Sequence, residues 1–163
     1  MYKIIVIGTS LSGKTTLIKS LRKISRYNIS ELDEKLTALN KGVFPKDIDY
    51  KHKILFPIIF SNLLKESSII FFTNVWYFSE RDLKKAHESG FKIVQLVASL
   101  DVLRDRNIER MKKGYEDMEK YLVDMVGYQK DIKRAGFVDK VIEANQPVDK
   151  VVKDLLSIVE INS

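Results

Sequence analysis

Ile4-Ile5-Val6-Ile7-Gly8-Thr9-Ser10-Leu11-Ser12-Gly13-Lys14-Thr15-Thr16-Leu17 is a continuous apolar run, then the spacing G-x-x-x-x-G-K-T, then the start of a helical pattern. A short apolar run bounded by glycine reads as a strand buried on both faces. A strand before this loop and a helix after it are the context that makes it a phosphate-binding loop. The residue types follow from the chemistry. Gly8 and Gly13 let the backbone turn tightly, so that successive N–H groups point at one anion. The helix that opens near Gly13 adds the positive end of its dipole. Lys14 is a mobile point charge able to reach β- and γ-phosphates, and the Thr15 hydroxyl is a ligand for Mg²⁺. Residues Gly8, Thr9, Ser10, Leu11, Ser12, Gly13, Lys14, Thr15 and Thr16 are therefore the expected nucleotide cradle.

The bulk composition sets bounds around this loop. A chain of 163 residues suits one domain with a single sizeable core, with no boundary drawn inside 1–163. At 45% hydrophobic and 31% charged it has an ordinary globular balance. No apolar run approaches a bilayer span, and Met1-Tyr2-Lys3 leads directly into the first strand, so the expectation is a cytoplasmic protein without a membrane partner. The absence of cysteine excludes disulfides, thiolate metal sites and cysteine nucleophiles. A formal charge of +6 favours anionic ligands, which nucleotides satisfy, and is too modest to require nucleic acid.

Outward from the loop, five apolar segments read as strands: Tyr2–Ile7, Tyr27–Leu32, Ser68–Phe72, Phe91–Ala98 and Phe137–Ile142. Helical patterns lie between them. Thr15–Ile24 presents Leu17, Ile18, Leu21 and Ile24 on one face. Glu34 to Lys65 is mostly helical, with a break at Gly42 to Pro45 and a second helix through Ile48 to Leu64, bent at Pro57. Ser79 is the expected cap of Glu80–Glu88, which stops at Gly90. Asp101 to about Lys113, Glu116 to Arg134 and Pro147–Ile161 complete the set. Alternation of this kind points to a parallel sheet covered on both faces.

The loop near the amino end, an acidic residue just after the second strand (Glu31-Leu32-Asp33) and an arginine-rich segment after the fourth (Arg104, Arg106, Arg110) occur in this order. With the Ala144-Asn145 turn before the last helix, they resemble the P-loop nucleoside/nucleotide kinase-like family, which includes adenylate, shikimate and gluconate kinases. The resemblance spans almost the whole chain. It implies an α/β three-layer fold, a five-stranded parallel sheet of order 2-3-1-4-5 flanked by helices, and ATP·Mg²⁺ as phosphate donor. It further implies a small acceptor held by an insertion at about 34–65 and a mobile lid at about 101–134.

Within that frame Asp33 is the expected residue to orient or deprotonate the acceptor hydroxyl and to meet Mg²⁺ with Thr15. Extended backbone would set Glu31 and Asp33 on one side; alternatively Asp33 simply caps a helix starting at Glu34. Arg106 and Arg110, four residues apart, share a helical face and could grip one phosphate chain, whereas Arg104 could serve only in a salt bridge. The bland reading is a solvated helix laced with Asp101, Asp105 and Glu109. Asn145 falls where relatives approach the adenine ring, or is a turn residue before Pro147. Trp76-Tyr77-Phe78 is either core or an acceptor-stacking cluster.

Three departures from the family bear on function. Phe72-Thr73-Asn74-Val75 carries no aspartate after the third strand, so Mg²⁺ would depend on Thr15, waters and Asp33 or Thr73. No arginine lies between Arg26 and Arg81, which argues against a monophosphate acceptor. No D-x-x-G follows the third strand and no N-K-x-D for guanine occurs, so the GTPase signatures are missing. The expected function is transfer of the γ-phosphate of ATP to a small acceptor, a hydroxyl rather than a monophosphate. The alternatives are a polynucleotide 5′-hydroxyl kinase gripping nucleic acid through Lys41, Lys46, Lys51 and Lys53, and an ATP-binding module without chemistry.

Overall fold

A computed structural model of the chain describes residues 1–24 and 26–163. The sheet has five parallel strands in the order β2-β3-β1-β4-β5, where β1 is Lys3–Gly8, β2 Ile29–Glu31, β3 Ile69–Thr73, β4 Lys92–Val97 and β5 Lys140–Glu143. The helices are α1 (Lys14–Arg22), α2 (Leu32–Leu39), α3 (Phe56–Leu64), α4 (Glu80–Glu88), α5 (Leu100–Lys112), α6 (Glu119–Arg134) and α7 (Val148–Ile161). Both the five-stranded sheet and its order agree with the expectation. Central β1 pairs with β3 on one side and β4 on the other, with Ile5 opposite Phe71 and Ile93. Ile4 to Ile7 are each at most 1% exposed, because helices cover both faces. The connections leave β1 in opposite directions, which opens a crevice beyond the carboxyl ends of the strands. Among the described residues no helix is long and apolar enough to cross a membrane.

The differences from expectation lie at the edges. β2 pairs only with β3 and begins at Ile29 rather than Tyr27. The Asn28 N–H donates to the Tyr2 hydroxyl and its Nδ2 to the Ser68 carbonyl, so side chains hold the approach together with the bond from the Ile70 N–H to the Asn28 carbonyl. β5 begins at Lys140 because Asp139 ends the approach differently. Its carboxylate accepts from the Ile93 N–H at 2.7 Å and faces His87 of α4 at 2.9 Å, which ties α4 to the approach to β5. α6 starts at Glu119 rather than Glu116. Asp117 accepts from the Glu119 N–H, and buried Asn107 bonds both Asp117 and the Met118 N–H, setting the helix start from α5.

The helix expected through Ile48 to Leu64 divides in two. Tyr50–Leu55 is π-helical, with the Phe56 N–H donating to the Lys51 carbonyl five residues back, and α3 follows with Pro57 in its first turn. Proline has no N–H to continue the ladder, and its ring crowds the carbonyl four residues back; widening the preceding turn relieves both. α4 is capped as expected: the Ser79 hydroxyl accepts from the Asp82 N–H while Asp82 reaches back to the Ser79 N–H.

Candidate active site

The loop from Gly8 to Gly13 carries β1 into α1. Gly13 has φ +94° and precedes α1 without a side-chain cap, so the first N–H groups of the helix stay open to a ligand. Leu11 also takes a left-handed φ of 67°. A Cβ on Gly8 would stand 2.5 Å from the Ser12 Oγ, so this position has no room for a side chain. Lys14 folds back over the loop, its Nζ donating to the carbonyls of Gly8 at 2.8 Å and Thr9 at 2.7 Å. Burial lowers its ammonium pKa from 10.5 to about 8, against the opposing pull of Asp33 and Glu31. The Thr9 Oγ1 and Ser12 Oγ are buried with no partner among the described residues. Buried hydroxyls are rarely left unpaired. Open N–H groups, the orphaned Ser12 hydroxyl, a confined ammonium and a glycine that admits no Cβ together fit a polyphosphate.

The loop forms one side of a cavity of about 750 Å³ at the carboxyl ends of the strands. Its far reaches differ in character. At one end stand Glu31, the last residue of β2, and Asp33, in the first turn of α2. Asp33 is therefore not the helix cap, and the two residues do not share one extended strand, because the helix starts at Leu32 rather than Glu34. Burial raises the pKa of both carboxyls, for Glu31 with a further push from Asp33 and Glu34, while Lys14 opposes the rise at each. Tyr77 belongs to the same neighbourhood: burial and then Asp33 push its hydroxyl pKa up to about 12, and its ring stacks on His52 at 4.6 Å. Of its neighbours, Phe78 is core and Trp76 is 42% exposed.

At the other end Ala144, Gln146, Val148 and Val151 give a mostly apolar wall. Asn145 is exposed and is not among the lining residues; its N–H donates to the Glu143 carboxylate. α5 forms the roof. Arg106 donates to the Leu11 carbonyl at 2.8 Å and the Ala144 carbonyl at 3.1 Å, tying the phosphate loop to the turn after β5. Arg110 lines the cavity with its guanidinium over the Tyr115 ring at 4.3 Å. Arg104 points elsewhere, to Glu119 at 2.7 Å. The cavity thus gathers Lys14, Thr15, Asp33, Arg106 and Arg110, and leaves Arg104 and Asn145 out.

Sequence reasoning missed Asn74 and Gln146. Asn74, just beyond β3, lines the cavity, donates to the Ser10 Oγ at 3.1 Å and accepts from the Val75 N–H. A polar residue at the carboxyl end of a buried central strand was the available signal. Among the described residues no cluster of three or more histidines and carboxylates could hold a metal, so any Mg²⁺ would rely on phosphate oxygens, the Thr15 hydroxyl, Asp33 and water.

No protein-family model matches this chain. Solved structures do resemble it. Shikimate kinase from Acinetobacter baumannii in complex with shikimate superposes with a TM-score of 0.76 at 15% identity, over 100% of this chain and 95% of that one. A gluconokinase from Sinorhizobium meliloti 1021 gives 0.66 at 20% identity, over 98% and 94% of the two chains. The YorR protein from Bacillus subtilis in complex with phosphorylated GDP gives 0.68 at 19% identity, over 98% and 96%. At such identities the likeness establishes the fold, that of the P-loop kinases.

Proposed function

We propose that the protein is an ATP-dependent phosphotransferase acting on a small acceptor hydroxyl. The observation that carries this reading is the single cavity joining the phosphate loop to a pair of carboxyls whose pKa values are raised. The fold shared with shikimate and gluconate kinases supports it.

In this reading the loop amides, with the Ser12 hydroxyl, bind the polyphosphate. Lys14 leaves the Gly8 and Thr9 carbonyls to meet its outer oxygens. ATP·Mg²⁺ supplies the γ-phosphoryl group and metal charge; Thr15, with Asp33 through water, would hold the metal. Asp33 accepts the proton of the acceptor hydroxyl. A carboxyl raised by burial is a stronger base than an exposed one, and Lys14 keeps the rise in check. Arg106 and Arg110 offer planar guanidinium groups to charge spread over equatorial oxygens. Arg106 also holds the loop to the turn after β5, so the donor site is organised before binding. Within residues 101–134, the exposed end of α5 around Arg110 and the connection to α6 act as the lid that excludes water, because α6 itself is anchored to the sheet through Gln129.

The test is ADP release on a panel of nucleosides, sugars, shikimate-like acids and 5′-hydroxyl oligonucleotides. One acceptor class should raise turnover well above background, and Asp33→Asn should abolish that rise while ATP still binds. Tight ATP binding with no acceptor stimulating turnover would contradict the proposal and favour a binding module, made plausible by Asn74 standing at the end of β3 where a carboxylate is wanted for the metal.

A further inference from the structure

The segment between β2 and β3 turns an apolar face outward. Helix runs unbroken from Ile48 through the π-helical turn into α3, and Tyr50, Ile54 and Ile58 recur along it every four residues, 40%, 52% and 46% exposed. That spacing sets them on one stripe, while Phe56, Ile59, Phe60 and Leu63 fill the buried face. Ile58 stands one turn before Asn62, and there the stripe meets a groove of about 300 Å³ between α2 and α3. Buried Ile59, Leu63, Ile69 and Phe71 form its floor. Its wall is low because exposed Ala38 carries only a methyl group, and Leu39 stands beside it, 44% exposed.

The two charged residues of the groove lie at opposite ends. α2 starts where β2 ends, so Lys35 lies near the carboxyl edge of the sheet; α3 ends before β3 begins, so Glu66 lies near the amino edge. Neither makes an ion pair among the described residues. A twofold axis through the groove brings Lys35 of one copy to Glu66 of the other, and the reverse. The area suffices as well. Val43, Phe44 and Ile48 extend the patch, with the Lys51 ammonium over the Phe44 ring at 5.0 Å. Together these exposed side chains offer on the order of 600 Å² per copy, against roughly 800 Å² of all kinds that each partner of a stable complex buries.

We propose that the α2–α3 face is an isologous interface on which two copies of this chain pair, each groove receiving the apolar rim of the other copy and Lys35 meeting Glu66 twice. A lipid surface fits less well. Asp47, Asp49 and Glu66 stand among the apolar groups, and an anionic bilayer repels carboxylates that the lysines of a second copy accept. The contact also braces the acidic end of the cavity. Lys51, on the same stretch, opposes the rise in the Asp33 pKa, and His52 stacks on Tyr77.

The experiment is sedimentation velocity of the full chain across a concentration series. The expected result is a dimer at about 100 µM and below. Leu39→Glu, which sets a charge beside the groove, should leave monomers throughout. Lys35→Glu and Glu66→Lys, both at exposed positions, each oppose like charges twice and should weaken pairing about tenfold or more. Mixed in equal amounts, these two variants should pair again, because each supplies the charge that the other lacks. A monomer at about 100 µM, a dimer that ignores Leu39→Glu or the charge reversals, or weakened variants that fail to recover on mixing would overturn the proposal. So would a monomer that sediments with phosphatidylserine vesicles and loses them in Leu39→Glu, which would make the face a lipid-binding one. ATP binding is measured separately, and its failure would overturn the nucleotide reading while leaving the interface standing.

Discussion

Lys14 makes nucleotide affinity a function of pH in a way that no other group at the loop reproduces. Without ligand its ammonium is desolvated, and its pKa falls from 10.5 to about 8. That fall corresponds to about 3 kcal/mol, as an upper figure, by which the folded loop disfavours the charged form. The unfolded chain binds more protons than the folded one between those values. Lys14 therefore destabilises the ligand-free fold below about pH 8, and stability recovers as pH rises from there toward 10.5. A polyphosphate reverses the preference, because it stabilises the ammonium and raises its pKa. Binding above about pH 8 must then include proton uptake. The protonated share of the free protein falls about eightfold from about pH 7.5 to about pH 9, and affinity should fall by the same factor, about 1.2 kcal/mol. The last phosphate proton of ATP has already left in that range, since phosphate monoesters titrate near about pH 6. Calorimetry with a non-hydrolysable ATP analogue and saturating Mg²⁺, in two buffers of different ionisation enthalpy, reads affinity and proton uptake together. Lys14→Arg, whose charge persists throughout, should flatten the profile. A flat profile in the unaltered protein, or the same slope in Lys14→Arg, would refute the reasoning.

Gly8→Ala forces a Cβ to within 2.5 Å of the Ser12 Oγ and should weaken ATP binding about tenfold or more, measured by the same titration. Gly13→Ala places a side chain at φ +94° and should lower unfolding stability by about 1–2 kcal/mol in denaturant melts. Asp33→Asn should reduce phosphate transfer by roughly a hundredfold or more with the stimulating acceptor. It also removes a charge that supports the Lys14 ammonium, so the fall in ATP affinity should begin at lower pH than in the unaltered protein. Arg104→Ala breaks an exposed pair with Glu119 and should change stability by less than about 1 kcal/mol, with kcat unmoved; a large loss of kcat would place Arg104 in the site after all.

What the sequence discloses follows from where each signal is stored. The β1–loop–α1 unit was legible because its glycines, lysine and flanking apolar runs are contiguous, and its chemistry depends on backbone geometry that those residues dictate. The central strands were legible for a similar reason: burial on both faces demands unbroken runs such as Ile69–Phe72. The edge strands were less so, because the ends of β2 and β5 are fixed by Asn28 and Asp139, which act on partners dozens of residues away. The π-helical turn at Tyr50–Leu55 had only Pro57 as its mark, and a proline can equally bend or start a helix. At the site, the four-residue spacing of Arg106 and Arg110 gave their common face, but not that Arg106 ties two loops together. The inclusion of Glu31 and Asp33 in one cavity was anticipated on a wrong premise, since a helix start rather than a strand brings them there. Gln95 and Gln129 were invisible as a pair: Gln95 donates to the Gln129 carbonyl at 2.6 Å, and Gln129 donates to the Leu96 carbonyl, anchoring α6 to β4 through contacts no local pattern reports.

Phosphorus NMR of Mg·ATP titrated with the protein reads the loop where it acts. The expected result is that the β- and γ-phosphate resonances shift or broaden with one-to-one stoichiometry, and that Lys14→Ala at equal concentration leaves them at their free positions. Resonances unchanged by the unaltered protein would contradict the assignment of Gly8–Thr16 as a polyphosphate site, and the phosphotransferase built on it.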